Sequence, residues 1–356
     1  MDQVELMLKE LTDAVGIAGH EDQVSSVMEK YLKGLGEVYY DRLGSFICKK
    51  TGKPGGPAVM LAAHMDEVGF MVKQVTKDGF IKFLPIGGWW GHVALAQRVV
   101  IKTSKGDVVG LVGSKPPHDL QEDEKKKVLE LRDMFIDVGA TRTFDVEKKL
   151  GIRPGDPVVP VTPFSPMGNP RLYMAKAWDD RIGCAAIIEV FRRLQKAKHP
   201  NVVYGVGTVQ EEVGLRGAQT SVAAVKPDIG FALDVCIARD VPGTGEGSAE
   251  RLGEGASIVV YDGSMIPNPR LRDFAVDTAK AKKIPYNFAS LERGGTDSGK
   301  IHLHGTGVPS LSICVPTRYI HSHTSIIDRK DFEAVVNLVT EVVLRLDAKA
   351  VARLTK

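Results

Sequence analysis

The chain has few of the features that would place it outside the cell, in a membrane or on nucleic acid. Its four cysteines, Cys48, Cys184, Cys236 and Cys314, are scattered, lack CxxC spacing and lie in apolar or strand-like segments. That argues against a disulfide framework and for buried, reduced thiols in a cytoplasmic protein. No apolar run approaches the roughly 20 residues that span a bilayer. Met1 to Leu11 lacks the basic start and continuous apolar stretch of a signal peptide and reads as an amphipathic helix with acids in its first turn. A formal net charge of +3 over 356 residues leaves no surplus of one sign for nucleic acid or an acidic membrane. What remains, 43% hydrophobic and 26% charged, is the composition of an ordinary globular protein, long enough for two domains or one core with an insertion.

The periodicity changes twice along the chain. A second amphipathic stretch, "GHEDQVSSVMEKYLKGL", precedes a strand pair in "EVYYDRLGSFICKKTG", and Ala58 to Ala63 is an uninterrupted apolar run typical of a strand covered on both faces. From about 70 to 162 short strands broken by Gly, Pro and a Lys-Gly-Asp turn suggest a small β-rich insertion. It carries a charged helical piece, "LQEDEKKKVLELRDMF", and a helix, "TFDVEKKLG". Past Pro163 the α/β texture returns. Asp180 can cap a helix with an apolar stripe from Ile182 to Leu194, followed by the buried runs "NVVYGVGTV", "DIGFALDV" and "VPSLSICVP" and one terminal helix from Asp328 to Leu354. The simplest architecture is a three-layer α/β domain built from residues 1–69 and 163–356, interrupted at 70–162 by a β-rich, barrel-like domain.

Several apolar runs end at side chains able to bind a metal. His64 follows the first, Glu211 and Glu212 follow "NVVYGVGTV", Asp234 follows "DIGFAL", His321 follows "LSICVPTRYI", and Asp179 and Asp180 follow the weaker "RLYMAKAW". Ligands in open α/β sheets bind beyond the carboxyl ends of the strands, so one edge would gather all of these residues. Two imidazoles with several carboxylates form the N/O donor set of zinc, cobalt or manganese. A two-ion hydrolytic site needs a bridging carboxylate, further ligands on each ion and a separate base. Nearby cations would offset the repulsion between Glu211 and Glu212, with one serving as ligand and the other as base. The pattern alone does not decide their order.

The segments "AAHMDEVGF", "KAWDDRIGCA", "VQEEVGLRGA", "ALDV", "GGTDSG" and "TRYIHSH" run in order along nearly the whole chain. Together they resemble the motif series of the co-catalytic metallo-aminopeptidases that include glutamyl aminopeptidase and the tetrahedral, or deblocking, aminopeptidases, some members being labelled endoglucanase M. The resemblance implies an α/β/α metallopeptidase fold holding two divalent ions, zinc or cobalt with manganese as the alternative. It implies that Asp179 bridges them, that His64 and Asp234 complete one site and Glu212 and His321 the other, and that Glu211 is the general base. Asp66 would orient the His64 imidazole, a partner that ligand histidines usually have. His321 is preferred to His323 because the family's ligand follows an Arg-Tyr-Ile type of run; His323 would line the rim or hydrogen-bond nearby. Asp297 in "RGGTDSG" would fix a loop. The insertion corresponds to the family's dimerisation domain, through which dimers build twelve-subunit tetrahedral particles, and Trp89 and Trp90 are candidates for interface or core.

The expected activity is removal of N-terminal residues from peptides by a cytoplasmic homo-oligomer. An endo-1,4-glucanase is the alternative, but it would leave His64 and His321 without a role, and only 6% of the chain is aromatic. A catalytically inactive assembly or binding module is the other, and intact residues at every ligand position argue against it. Arg216, Arg251, Arg293 and Lys300 are candidates for a pocket that recognises an acidic side chain.

Overall fold

A computed structural model describes residues 1–141, 144–245 and 247–355. Its largest element is an 11-stranded mixed sheet. The centre consists of four parallel strands, in the spatial order Val202–Thr208, Ala58–His64, Ile229–Ile237 and Ser310–Arg318. Antiparallel strands flank them: Phe46–Thr51 and Glu37–Tyr40 on one side, and Ser325–Asp328, Leu172–Ala175 and Ser165–Pro166 on the other. Ala256–Asp262 pairs antiparallel with Ser310–Arg318 and carries Tyr286–Leu291 beside it.

Strand pleat explains the continuous apolar runs. Successive residues of a strand point to opposite faces. Val59, Leu61 and Ala63 therefore enter the large core, whereas Met60 and Ala62 enter a smaller one with Val206, Val222 and Ile301. Helix Trp178–Leu194 lies in the large core against helices Gln3–Asp13, Asp22–Leu32 and Arg329–Arg345. Helices Arg216–Val225 and Ser298–Ile301 cover the other face. Helix Trp178–Leu194 has no solvent stripe wide enough to be read as amphipathic: Ile187 is as buried as Ile188. Gly183 lets it approach the sheet, because a Cβ there would collide with the Leu233 carbonyl oxygen.

A closed barrel interrupts this domain. Strands Gly69–Val75, Ile81–Ile86, Phe135–Asp137, Gly106–Gly113, Arg98–Thr103 and Pro157–Pro160 close around their own core of Phe70, Val72, Ile81, Val99, Ile101, Val112, Ile136 and Val158. The expected three-layer α/β fold with a β-rich barrel is the fold observed.

Two expected helices differ. The charged piece from Leu120 to Phe135 forms only a single turn, Glu122–Lys125, and a 3-10 turn, Leu131–Asp133, before strand Phe135–Asp137. Its charges are solvated, and its contacts with the barrel core, Leu129, Leu131 and Met134, are confined to its second half, which leaves the stretch from Leu120 to Val128 no apolar surface to hold a longer helix. The terminal helix is two, Arg329–Arg345 and Ala348–Leu354, because the Asp347 carboxylate accepts a hydrogen bond from the Ala350 N–H and starts a new N-terminus. Helix Val146–Leu150 is present, and Thr143, where the sequence pattern begins it, lies outside the described residues.

The end of Arg329–Arg345 is tied to the sheet by one amide. Asn201, fully buried, donates from Nδ2 to the carbonyls of Val343 (2.6 Å) and Leu346 (3.1 Å). Asn201→Ala removes the amide donor from the Leu346 carbonyl and leaves Val343 O with only the Leu346 N–H, and it should lower the unfolding free energy by about 1–3 kcal/mol. Denaturant midpoints of the two proteins measure this, and a loss near zero would show that the tie is dispensable.

Candidate metal centre

The carboxyl ends of the parallel strands open into a cleft of about 860 Å³ lined by His64, Asp179, Glu211, Glu212, Asp234 and His321 among others. His64 is the last residue of its strand and Asp234 lies within Ile229–Ile237. Glu211 and Glu212 follow Val202–Thr208 after a turn in which Gln210 takes φ +57°. His321, φ +54°, lies three residues beyond Ser310–Arg318. Asp179 and Asp180 have non-helical backbones at the entrance to helix Trp178–Leu194, joined by a cis peptide bond.

Asp179 stands between the two imidazoles. Its Oδ1 is 2.9 Å from His64 Nε2 and its Oδ2 3.4 Å from His321 Nε2. Glu212 Oε2 lies 3.6 Å from His321 Nε2, and Glu211 Oε2 3.8 Å from His64 Nε2. Both Nδ1–H groups face backbone acceptors, His64 donating to Asp66 O and His321 to Gly88 O, each at 2.9 Å. The Nε2 atoms are therefore the ones presented to the cleft.

The adjacent glutamates are held from behind. The Asp66 carboxylate accepts the Glu211 N–H on Oδ1 (2.9 Å) and the Glu212 N–H on Oδ2 (3.1 Å). Asp66, expected to orient His64 through its carboxylate, thus also has these two amides to hold. Its backbone carbonyl orients His64, while its carboxylate, 3.6 Å from Nδ1, mainly fixes the turn that aims the two glutamates. Asp180 is likewise occupied by backbone, accepting from His64 N (3.1 Å) and Gly183 N (3.0 Å), so it caps the helix. His323 does not line the rim. It is 2% exposed, neither ring nitrogen has a hydrogen-bond partner, and it packs edge-on against Trp89. Trp89 itself stacks on Phe70 of the barrel, whereas Trp90 is 59% exposed. Asp297 accepts from Thr208 Oγ1 at 2.5 Å, behind the same turn.

Sequence reasoning missed the ion network beneath the site. Glu67 Oε1 accepts from Lys176 Nζ (2.6 Å) and Arg181 Nη2 (3.2 Å), all three groups being buried. Arg181 also donates to the carbonyls of Leu11, Ala14 and Gly16. The network ties the loop after His64 and the helix after Asp179 to the end of helix Gln3–Asp13. The signal was slight: Glu67, Lys176 and Arg181 sit within "HMDEVG" and "KAWDDR", the same segments that carry His64 and Asp179.

The electrostatics fit a cation. Burial raises the carboxyls of Glu211 well above the usual range, Glu212 to about 8 and Asp234 to about 7, with neighbouring acids adding to each. Burial also works against Asp179, but His321 and His64 hold its carboxyl below the usual range. Glu212 Oε1 is buried with no hydrogen-bond partner, a cost of about 1–3 kcal/mol for a neutral group and more for a charged one. One ligand atom from each of His64, Asp179 and Glu212 lies within 4.8 Å of the others, and the same holds for His64, Asp180 and Asp234. An orphaned carboxylate oxygen among crowded acids and two oriented imidazoles suits divalent ions.

The fold and this cleft define a hydrolase of the kind in which a three-layer α/β unit carries the site and a barrel is inserted. The family model described as M42 glutamyl aminopeptidase matches residues 44–338. The chain belongs to that family and is a peptide hydrolase. It is 35% identical to the glutamyl aminopeptidase of Lactococcus lactis over 98% of each chain. Against the lysyl aminopeptidase of Pyrococcus furiosus it is 34% identical over 93% of this chain and 94% of the other. Among solved structures, the TET aminopeptidase of a marine-sediment Thaumarchaeota archaeon superposes with a TM-score of 0.95 at 44% identity, covering 99% of this chain and 100% of that one. The TET1 peptidase of Pyrococcus horikoshii, which can assemble into a tetrahedron or a large octahedral shell, gives 0.86 at 29% identity, over 97% and 100%.

The Asp66 contacts make a specific prediction. In Asp66→Asn one side-chain donor must face a backbone N–H, so the Glu211–Glu212 turn should shift and kcat on a peptide substrate fall about 10–100-fold. Steady-state kinetics with a circular-dichroism check on folding would measure it; unchanged kcat would return Asp66 to a purely local role.

Proposed function

We propose that this chain is a two-metal aminopeptidase that removes residues from the free N-termini of peptides. The observation that carries this is Asp179, with one carboxylate oxygen turned to each imidazole and the unpartnered Glu212 Oε1 close by. His64 and Asp234 would hold one ion, Glu212 and His321 the other, and Asp179 would bridge them, zinc or cobalt being the metals these donors suit. Such ions supply Lewis acidity, which acidifies water and polarises a carbonyl.

The protein's own groups do the rest. Glu211, half-buried at the cleft wall and aimed by Asp66, takes the proton of the attacking water as the water oxygen bonds to the carbonyl carbon. When the C–N bond breaks, Glu211 returns that proton to the departing amine. The surplus of carboxylates supplies partners for the substrate's α-ammonium group, which explains a requirement for an unblocked N-terminus. A glucanase would use two of the carboxylates and leave both oriented imidazoles idle, and among the described residues the cleft lining includes no Phe, Tyr or Trp to serve as a sugar platform.

Residues 1–69 and 163–356 would then form the catalytic domain and 70–162 a dimerisation domain. The barrel leaves Leu84, Val109 and Leu111 exposed, apolar surface that a second copy would cover. A dodecameric structure of the related TET1 peptidase supports reading this chain as a subunit of such a particle. Four free, buried thiols among the described residues suit a reducing, cytoplasmic setting.

A panel of unblocked aminoacyl anilides, N-acetylated controls and soluble cellulose tests this after chelation and re-addition of zinc, cobalt or manganese. Cleavage should vanish on chelation, return with metal and be confined to free amino termini. Glu211→Gln should lower kcat by about 10²–10⁴-fold while leaving ion stoichiometry intact. Metal-independent cellulose cleavage with inert anilides would overturn the assignment.

A further inference from the structure

The barrel reaches into the catalytic cleft through one short loop. Gly87 and Gly88 follow strand Ile81–Ile86, and Gly88 lines the cleft beside His321 and Glu212. The Gly88 carbonyl is the acceptor that holds His321 Nδ1–H at 2.9 Å. His321 needs that hold. Its side chain is 40% exposed, against 3% for His64, and it sits on an irregular loop where both Tyr319 (φ +62°) and His321 (φ +54°) take left-handed backbones.

The fit leaves no room for a side chain. A Cβ on Gly88 would lie 2.9 Å from His321 Nδ1, and one on Gly87 2.9 Å from Glu212 Oε2 and 2.6 Å from Val68 Cγ1. Gly87 also has φ +78°, whereas Gly88 lies outside the left-handed region, so alanine at 88 changes only the space available. The loop is itself anchored. Trp89 donates from Nε1 to Gly69 O at 3.0 Å, stacks on Phe70 at 4.6 Å, and meets His323, two residues beyond His321, at 5.3 Å.

Resting on the two-metal reading, we infer that Gly87 and Gly88 are positioning residues for the His321–Glu212 half of the centre, so that the inserted barrel sets the affinity of one ion and not the other. His64 has no such dependence, since its Nδ1 acceptor, Asp66, belongs to its own loop. The inserted domain thus completes the second ion's site by a backbone contact rather than by a ligand.

Calorimetric titration of metal-stripped full-length protein with Co(II), together with the visible spectrum at one and two equivalents, tests this. Wild type should take up two ions. Gly88→Ala should keep the first within about twofold and weaken the second at least about tenfold, matching the spectrum of His321→Ala at two equivalents. Gly87→Ala should show the same pattern through Glu212 and serves where Gly88→Ala does not fold. Trp90→Ala, in the same loop with its ring stacked on His92 rather than in the cleft, should bind both ions as wild type does. Wild-type affinities and spectra in both glycine variants would overturn the inference, as would equal weakening in Trp90→Ala. Uptake of no ion by wild type would instead bring down the metal reading itself.

Discussion

Negative charge buried at one end of a parallel sheet is the constraint around which this protein is organised. Asp66, Asp179, Asp180, Glu211, Glu212, Asp234 and Asp297 converge there, and burial disfavours ionisation of most of them. The structure resolves the conflict group by group. Asp66 and Asp180 receive backbone N–H donors, Glu67 beneath them receives Lys176 and Arg181, and Asp179 lies between two imidazoles. The Asp234 carboxylate accepts only the N–H of Val235, and among the described residues the Glu211 and Glu212 carboxylates receive no hydrogen-bond donor at all, so it is toward these three that cations would be drawn.

The side chains of the centre come from several elements, with Glu211 and Glu212 sharing one turn, and separate contacts hold these elements close to the site. The Glu67–Lys176–Arg181 network fixes the loop after His64 and the helix after Asp179. The Asp66 carboxylate fixes the glutamate turn, and the Gly87–Gly88 loop of the barrel closes on His321. The barrel is therefore not attached at a distance, since the loop after its first hairpin meets His321 at the cleft.

Much of this was legible before any coordinates. Uninterrupted apolar runs identified central strands covered on both faces, and Gly, Pro and short alternating segments identified the insertion, because strand pleat and turn chemistry are local properties. The convergence of His64, Asp179, Glu211, Glu212, Asp234 and His321 was legible from strand ends alone, since parallel strands bring their carboxyl ends to one edge. Other features were misread where local pattern and tertiary contact disagree. The charged segment after Leu120 has helical composition but almost nothing to pack against. Asp347 interrupts a continuous apolar periodicity by capping a new helix. His323 was placed at a rim from its sequence position, and packing with Trp89 buries it.

The amino-acid sequence by itself determined the layered fold, the inserted barrel and the set of side chains at the strand ends, because hydrophobic period and residue chemistry are carried along the chain. Only the tertiary structure decided which atom of each residue faces which. That the Asp66 carboxylate holds two amides, that Asp180 turns to the backbone of His64 while Asp179 turns to the cleft, and that a barrel glycine holds His321 all depend on contacts between residues 115 to 233 apart in sequence. Hydrogen-bond direction at such contacts is set by the relative placement of whole elements, which no local pattern encodes.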